Sequence, residues 1–204
     1  MLITKITRTK GGLLAVMSGG EQIALLDDKA IEEHDIGVGV DVPDDVLEDI
    51  QRESDERRAL TAGLYLVAKR EYCRKQIVEK LRRSHDEEAA EYAADELCRL
   101  GFVDDRRYAE KYALICFEDK HFFTRRVVYE LTAKGIDRSL AQEVCAELEP
   151  DEDEAIDALL DGRLGMGLDS EAGIRRTTAT LERYGYSRAK SISHILKRCR
   201  GDEI

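Results

Sequence analysis

Apolar residues recur along this chain with two different periods. In residues 1–26 they come as short runs, L-I-T-K-I-T-R, L-L-A-V-M and Q-I-A-L-L, divided by Gly11-Gly12 and Ser18-Gly19-Gly20. Loose alternation broken by paired glycines predicts an antiparallel hairpin or three-stranded sheet, because glycine enters the positive-φ positions of tight turns without steric cost. Residues 28–34 are expected to form a helical turn, and Gly37–Val40 a short extended piece. Pro43 is placed to start a helix carrying Val46, Leu47 and Ile50, since a helix's first turn has no use for the N–H that proline lacks.

After Glu53 the period becomes helical. Leu60, Leu64 and Val67 fall at i, i+4 and i+7, one helix face. A second helix carries Ile77, Val78 and Leu81, and a third Ala90, Ala93, Ala94, Leu97 and Leu100, with Gly101 as terminator. The plan then repeats. Asp104 or Asp105 opens a helix with Tyr108, Tyr112 and Cys116; Thr124 precedes Val127, Val128 and Leu131, ended by Gly135; Asp137 caps Leu140, Val144 and Leu148. It repeats once more with Ile156, Leu159, Leu160 and Leu164, then Ile174, Leu181 and Tyr184 ended by Gly185, then Ser187 before Ile192, Ile195 and Cys199. Helices of about 10–16 residues are expected. The acidic stretch 147–154, E-L-E-P-D-E-D-E, reads as a flexible linker.

The recurrence has a fixed period. Leu81, Leu131 and Leu181 lie 50 apart, as do Lys75, Arg125 and Arg175, and Gly135 is in register with Gly185. Repeats of this size bury apolar faces against their neighbours. The predicted fold is mainly α: three tandem three-helix repeats forming an elongated, curved array, preceded by a small antiparallel β-hairpin or three-stranded segment. The expected divisions are 1–50 for the β-rich segment with a short helix, then 53–103, 104–149 and 150–204 for the repeats.

Charge narrows the function. The net charge is −11, with four bases against eleven acids in residues 1–50 and eleven of each in 51–100. Overall charge therefore disfavours binding to naked DNA, although a local basic stripe escapes distant acids through screening over about 10 Å. The five cysteines are odd in number and widely spaced, and none pairs with a histidine at zinc-site spacing, so they read as small core residues in a reducing cytosol. No apolar run reaches the roughly 20 residues that span a bilayer, and the start, MLITKITRTK, has no apolar signal core. A cytoplasmic chain with no membrane partner is expected.

No catalytic fingerprint emerges. His34, His85, His121 and His194 lack ligand spacing, and Gly37-Val-Gly39 and Gly165-Met-Gly167 read as turns. No enzyme activity, no cofactor and no metal are expected. The bases are the remaining candidates. Lys75 and Arg82 are seven apart on one helix face, away from the arc of Ile77, Val78 and Leu81, and Arg74 and Arg83 flank them. Arg125, Arg126 and Lys134 follow in the second repeat, and Arg175 and Arg176 in the third. Such side chains meet phosphates or acidic protein surface, and the competing reading is that they merely solvate helix faces. The tyrosines Tyr65, Tyr72, Tyr108, Tyr112 and Tyr184 are expected to be core or half-buried.

The stretch Gly101-Phe-Val-Asp-Asp-Arg-Arg-Tyr-Ala-Glu-Lys-Tyr-Ala113 resembles the signature of the RecX family, bacterial modulators of the RecA recombinase. So does Thr124-Arg-Arg-Val-Val-Tyr-Glu-Leu-Thr-Ala-Lys-Gly-Ile136. Residues 66–81 are similar to that family's first repeat, and Leu181-Glu-Arg-Tyr-Gly-Tyr-Ser187 to its third. The resemblance implies a non-enzymatic protein that binds the RecA–single-stranded DNA filament, along its helical groove, and limits ATPase, strand exchange and coprotease activity; a monomeric state and single-stranded DNA as a further partner are expected besides. There are two departures. His121, Phe122 and Phe123 stand where members often have a glycine, and this chain is acidic where many members are basic. A helical scaffold for another protein and a direct nucleic-acid binder remain the alternative readings.

Overall fold

The computed structural model describes the backbone of residues 1–201 and the side chains of residues 1–199; residues 202–204, the end of the third predicted repeat, lie outside the described residues. The chain divides into two compact units, Met1–Val103 and Asp104–Ile204. The architecture is mainly helical with a three-stranded sheet at the front, in keeping with the two periods of the sequence.

The first unit opens with strands β1 (Lys5–Arg8), β2 (Leu14–Ser18) and β3 (Glu21–Leu26), antiparallel in that order. Lys5 faces Met17 and Leu14 faces Leu26, with a register shift between Val16 and Met17. Helix α1 (Asp28–Glu33) follows, with Asp27 Oδ1 accepting from the Ala30 amide at 2.7 Å. Gly37–Val40 is a turn rather than the expected extended piece: the Val40 amide donates back to Gly37 at 3.1 Å and Gly39 adopts φ +90°. The pairing partner of this region is the chain start, Leu2 against Asp41.

The apolar stretches around Ile50 and Leu60 share one helix, α2, which runs 24 residues from Asp44 to Val67. That is longer than the expected range, because no glycine or proline interrupts residues 51–62. The change in composition near residue 50 therefore lies inside a helix. The N-terminal half of α2 packs on the sheet. Leu47 and Ile50 join Ile3, Val16 and Leu26 in one core, and Gln51 imitates a neighbouring strand, accepting from the Leu25 amide at 2.6 Å and donating to its carbonyl at 3.0 Å. The C-terminal half packs with α3 (Arg74–Leu81) and α4 (Glu87–Arg99). Ala59, Ile77, Leu81, Ala90, Ala94 and Leu97 form that core. Gly63 permits the close α2–α4 approach: a Cβ there would come within 2.7 Å of Leu97 Cδ1.

The second unit contains α5 (Asp105–Glu118), α6 (Thr124–Lys134), α7 (Arg138–Leu148), α8 (Glu152–Asp161), α9 (Glu171–Tyr184) and α10 (Arg188–Gly201). Asp104, Asp137, Asp151 and Ser170 cap α5, α7, α8 and α9 with side-chain oxygens, each satisfying an amide that has no partner within its own helix. Leu131 and Leu181 are fully buried, and so, almost, is Leu81 of the first unit. The acidic stretch is not a linker of eight residues: Glu147 and Leu148 finish α7, and Asp151 already caps α8.

Helix α9 ends against the start of α6. The Phe123 amide donates to the Tyr184 carbonyl at 2.7 Å, and Arg125 Nη2 to the Glu182 carbonyl at 2.9 Å. A helix C-terminus, rich in unsatisfied carbonyls, thus meets the positive end of another helix. Phe123 stacks on Tyr186 with centroids 5.0 Å apart and packs into the core of Ile156, Leu160, Leu181 and Ile195. Burial pushes the Tyr186 phenol up to about 12, and its hydroxyl donates to the His121 carbonyl at 3.3 Å. Gly185 makes this approach possible. Its φ is +107°, and a Cβ would lie 2.8 Å from both the Arg126 nitrogen and the Phe123 oxygen.

Replacing Gly185 by alanine should therefore cost about 2–3 kcal/mol, combining left-handed strain with a backbone clash. Gly101→Ala, at φ +76° with open space around the new Cβ, should cost about 1 kcal/mol; equal losses of urea stability would contradict the close approach. A second test concerns His194, which is 9% exposed and bridges Asp157 (Nδ1, 2.6 Å) and Asp153 (Nε2, 2.9 Å). Burial disfavours its charge, but hydrogen bonds to Asp157 and Asp153 prevail and raise its pKa above 6.5. The folded unit therefore binds a proton that the unfolded chain releases more readily. That contribution is complete below about pH 6.5 and is lost as pH rises through the folded value. Thermal unfolding should show a larger gap between the native chain and His194→Gln at pH 6 than at pH 8.5.

Candidate functional site

The nine bases singled out from the sequence serve different purposes in the fold. In the first unit Arg74 is a strut: its Nε bonds Asp95 at 2.7 Å and its Nη2 bonds Glu91 at 2.6 Å, tying α3 to α4. Hydrogen bonding to Asp95 raises its pKa further, against partial burial. Arg82 pairs with Glu87 at 3.3 Å while remaining half-exposed. Lys75 and Arg83 are exposed. Arg70 and Lys80 add charge nearby, lying 4.1 and 5.6 Å from the buried Tyr72 ring.

In the second unit the neighbours Arg125 and Arg126 diverge, as adjacent positions on a helix must. Arg125 shares a face with Tyr129 and Thr132, at i, i+4 and i+7, and these three line a groove of about 780 Å³. Arg126 turns away to pair with Glu130 at 2.5 Å, over the rings of Phe122 and Tyr129. Lys134 lies 4.6 Å from the Tyr112 ring, which also meets Lys120 at 4.6 Å. Arg175 and Arg176 line a second groove along α9, with Arg176 Nε donating to the Ala172 carbonyl at 3.3 Å.

Two further arginines complete the geometry. Arg138 opens α7 and Arg188 opens α10, and both line the larger groove; Arg188 also lines the second. They are 50 residues apart, so the spacing that marked Lys75, Arg125 and Arg175 could have found them. The first repeat has Glu88 at this position. Arg188 Nη1 bonds Glu182 at 3.0 Å, so the end of α9 gathers Arg125 on a carbonyl and Arg188 on a carboxylate. The tyrosines split: Tyr72 is buried and Tyr108, Tyr112 and Tyr184 are half-buried, but Tyr65 is 69% exposed, against expectation. Tyr129, 63% exposed, reaches the groove from the solvent side of α6.

Other chemistry finds little purchase. All five cysteines are free thiols, and Cys73, Cys116 and Cys145 are buried. Burial pushes the Cys145 thiol up to about 11 and raises that of Cys116, which keeps both protonated and inert. Among the described residues no cluster of His, Cys, Asp and Glu could hold a metal ion, and no helix is long and apolar enough to cross a membrane.

Comparison with known proteins places these observations. The family profile described as "RecX, second three-helix domain" matches residues 104–144, which is α5 to within α7. A Regulatory protein RecX of Chlorobium phaeobacteroides (strain BS1) is 31% identical over 96 residues, 47% of this chain and 64% of that protein, so the chain spans just under two thirds of its length. A Regulatory protein RecX of Trichlorobacter lovleyi is 31% identical over 131 residues, 61% of this chain and 85% of the relative. Among solved structures, one described as the crystal structure of regulatory protein RecX superposes with a TM-score of 0.66 at 18% identity, covering 92% of this chain and 95% of its own. RecX from Lactobacillus salivarius gives 0.55 at 21% identity, over 74% and 98%.

The two kinds of base should separate on substitution. Arg74→Ala leaves Glu91 and Asp95 without their shared cation and should lower the urea midpoint, by about 1 kcal/mol after allowance for solvent screening. Lys75→Ala should stay within about 0.5 kcal/mol of the native chain. Equal effects would mean that Arg74 is as free to meet a partner as Lys75.

Proposed function

This chain belongs to the RecX family, and from that premise we propose that it is a non-catalytic modulator of the RecA recombinase. It binds the RecA–single-stranded DNA filament in its helical groove and thereby limits ATP hydrolysis, strand exchange and coprotease activity. It acts in the cytoplasm as a monomer, through the modules 53–103, 104–149 and 150–204. The observation that carries this reading is similarity to regulatory proteins on both sequence and fold. What supports the choice of contact surface is the set of exposed bases left over once struts are removed, Lys75 and Arg83 in the first unit and Arg138 and Arg175 in the second, with Arg125 and Arg188 beside them on Glu182. A filament offers acidic protein and phosphate together, which suits a chain whose cations are local and whose net charge is −11. Several modest contacts on one chain add by avidity.

A second reading, direct binding to bare single strands, is favoured by one feature: Lys120, Lys134 and Arg126 are interleaved with the rings of Tyr112 and Phe122, a pattern suited to stacked bases. It predicts that log K falls by roughly 0.7 per neutralised phosphate as log salt rises.

The purified chain should slow the recombinase's DNA-dependent ATPase at sub-stoichiometric ratios. Arg138→Ala/Arg175→Ala, at two exposed sites outside the helix-end junction, should raise the concentration needed by about fivefold or more while the chain remains folded. No slowing at equimolar protein would contradict the proposal; unchanged potency of the double variant would remove those two arginines from the surface.

A further inference from the structure

The larger groove of the second unit carries a chemistry more specific than general basicity. Arg125, Arg138 and Arg188 stand around it, and Phe123, Val128 and Tyr129 supply apolar surface. Its cations are all arginines, whose planar forks match carboxylates in a way that a lysine's point charge does not. Tyrosine and arginine around an apolar floor is the composition of protein-binding hot spots. Glu152 lines the groove, and its carboxylate accepts from the Ser187 amide at 2.7 Å at the start of α10, with Lys190 at 3.2 Å.

We propose that the groove bounded by Arg125, Arg138 and Arg188 is a docking site for an acidic protein segment carrying an aromatic or large aliphatic side chain. The arginines take the carboxylates, and the surface between Phe123, Val128 and Tyr129 takes the apolar group. Charge complementarity selects this occupant over a nucleic-acid strand. Polyanion binding draws its free energy from many phosphates neutralised at once. Here Glu152 lines the same groove, Arg188 is already shared with Glu182, and Arg125 donates to the carbonyl of that residue. The remaining positive charge is small and short-ranged, enough to fix a few discrete carboxylates but too little to neutralise a continuous phosphate backbone. The inference deepens the regulator reading, on which it rests for the identity of the protein that brings the segment.

The test uses the full chain and a fluorescent short peptide of alternating Glu and Asp with one central Phe, read by anisotropy. Saturable binding is expected, weakened about tenfold or more by Arg138→Ala/Arg188→Ala, a loss equivalent to one or more charge-assisted contacts. Both side chains are exposed, and an unchanged thermal transition in the double variant shows that it folds. An oligothymidylate of similar length should not displace the peptide. Absence of saturable binding, equal binding by the double variant, or displacement by the oligothymidylate each overturns the inference. The same proteins are then added to the recombinase ATPase assay. Slowing by a native chain that does not bind the peptide overturns this inference and leaves the regulator reading standing. Peptide binding without slowing upholds the groove and overturns the regulator reading.

Discussion

The second unit depends on one contact between helix ends. The last carbonyls of α9 face the first amides of α6, with the Phe123 amide on Tyr184 and the Arg125 guanidinium on Glu182. Each hydrogen bond contributes on the order of 1 kcal/mol, but the arrangement matters more than the sum. It requires a residue without a side chain at 185, it draws Phe123 into the core around Leu160, Leu181 and Ile195, and it sets α7 and α10 so that Arg138 and Arg188 open on one groove. His121 bears part of the cost. It holds φ +55°, the left-handed conformation that a histidine adopts with strain and a glycine adopts freely. Its carbonyl is compensated by the Tyr186 hydroxyl. The left-handed histidine is thus held by a local partner.

Much of this fold is legible in the sequence because it rests on signals of short range. Paired glycines mark the sheet's turns, Asp104 and Asp137 are readable as caps, and the 50-residue spacing of leucines marks positions that are buried in every repeat. The misreadings share a cause. The run of acids at 147–154 suggests a linker of eight residues and the helical period a start after Glu53, yet charge on a solvated face does not end a helix, and α2 already begins at Asp44. Only missing backbone donors or a left-handed residue does, and neither occurs between Asp44 and Val67.

The candidate site was less legible, because a base's role depends on what folds against it. Arg74 and Lys75 are neighbours in sequence, yet one is clamped between two carboxylates of α4 and the other faces water. Arg125 and Arg126 diverge likewise, one into the groove and one onto Glu130 and two aromatic rings. No spacing rule distinguishes them, since the carboxylate that captures a base lies 17 to 21 residues away in the case of Arg74. Arg138 and Arg188 were findable, because they keep the same register as the residues that were noticed.

The helix-end junction can be read directly through the Phe123 amide, which has no carbonyl partner within its own helix and is protected only if α9 stays docked. Native-state hydrogen exchange at that amide should be as slow as at the buried core positions Leu131 and Leu181, because in this account it opens only when the second unit unfolds as a whole. Exchange at Phe123 faster by orders of magnitude, while Leu131 and Leu181 stay protected, would show that α9 and α6 separate freely and that the groove between the repeats has no fixed form.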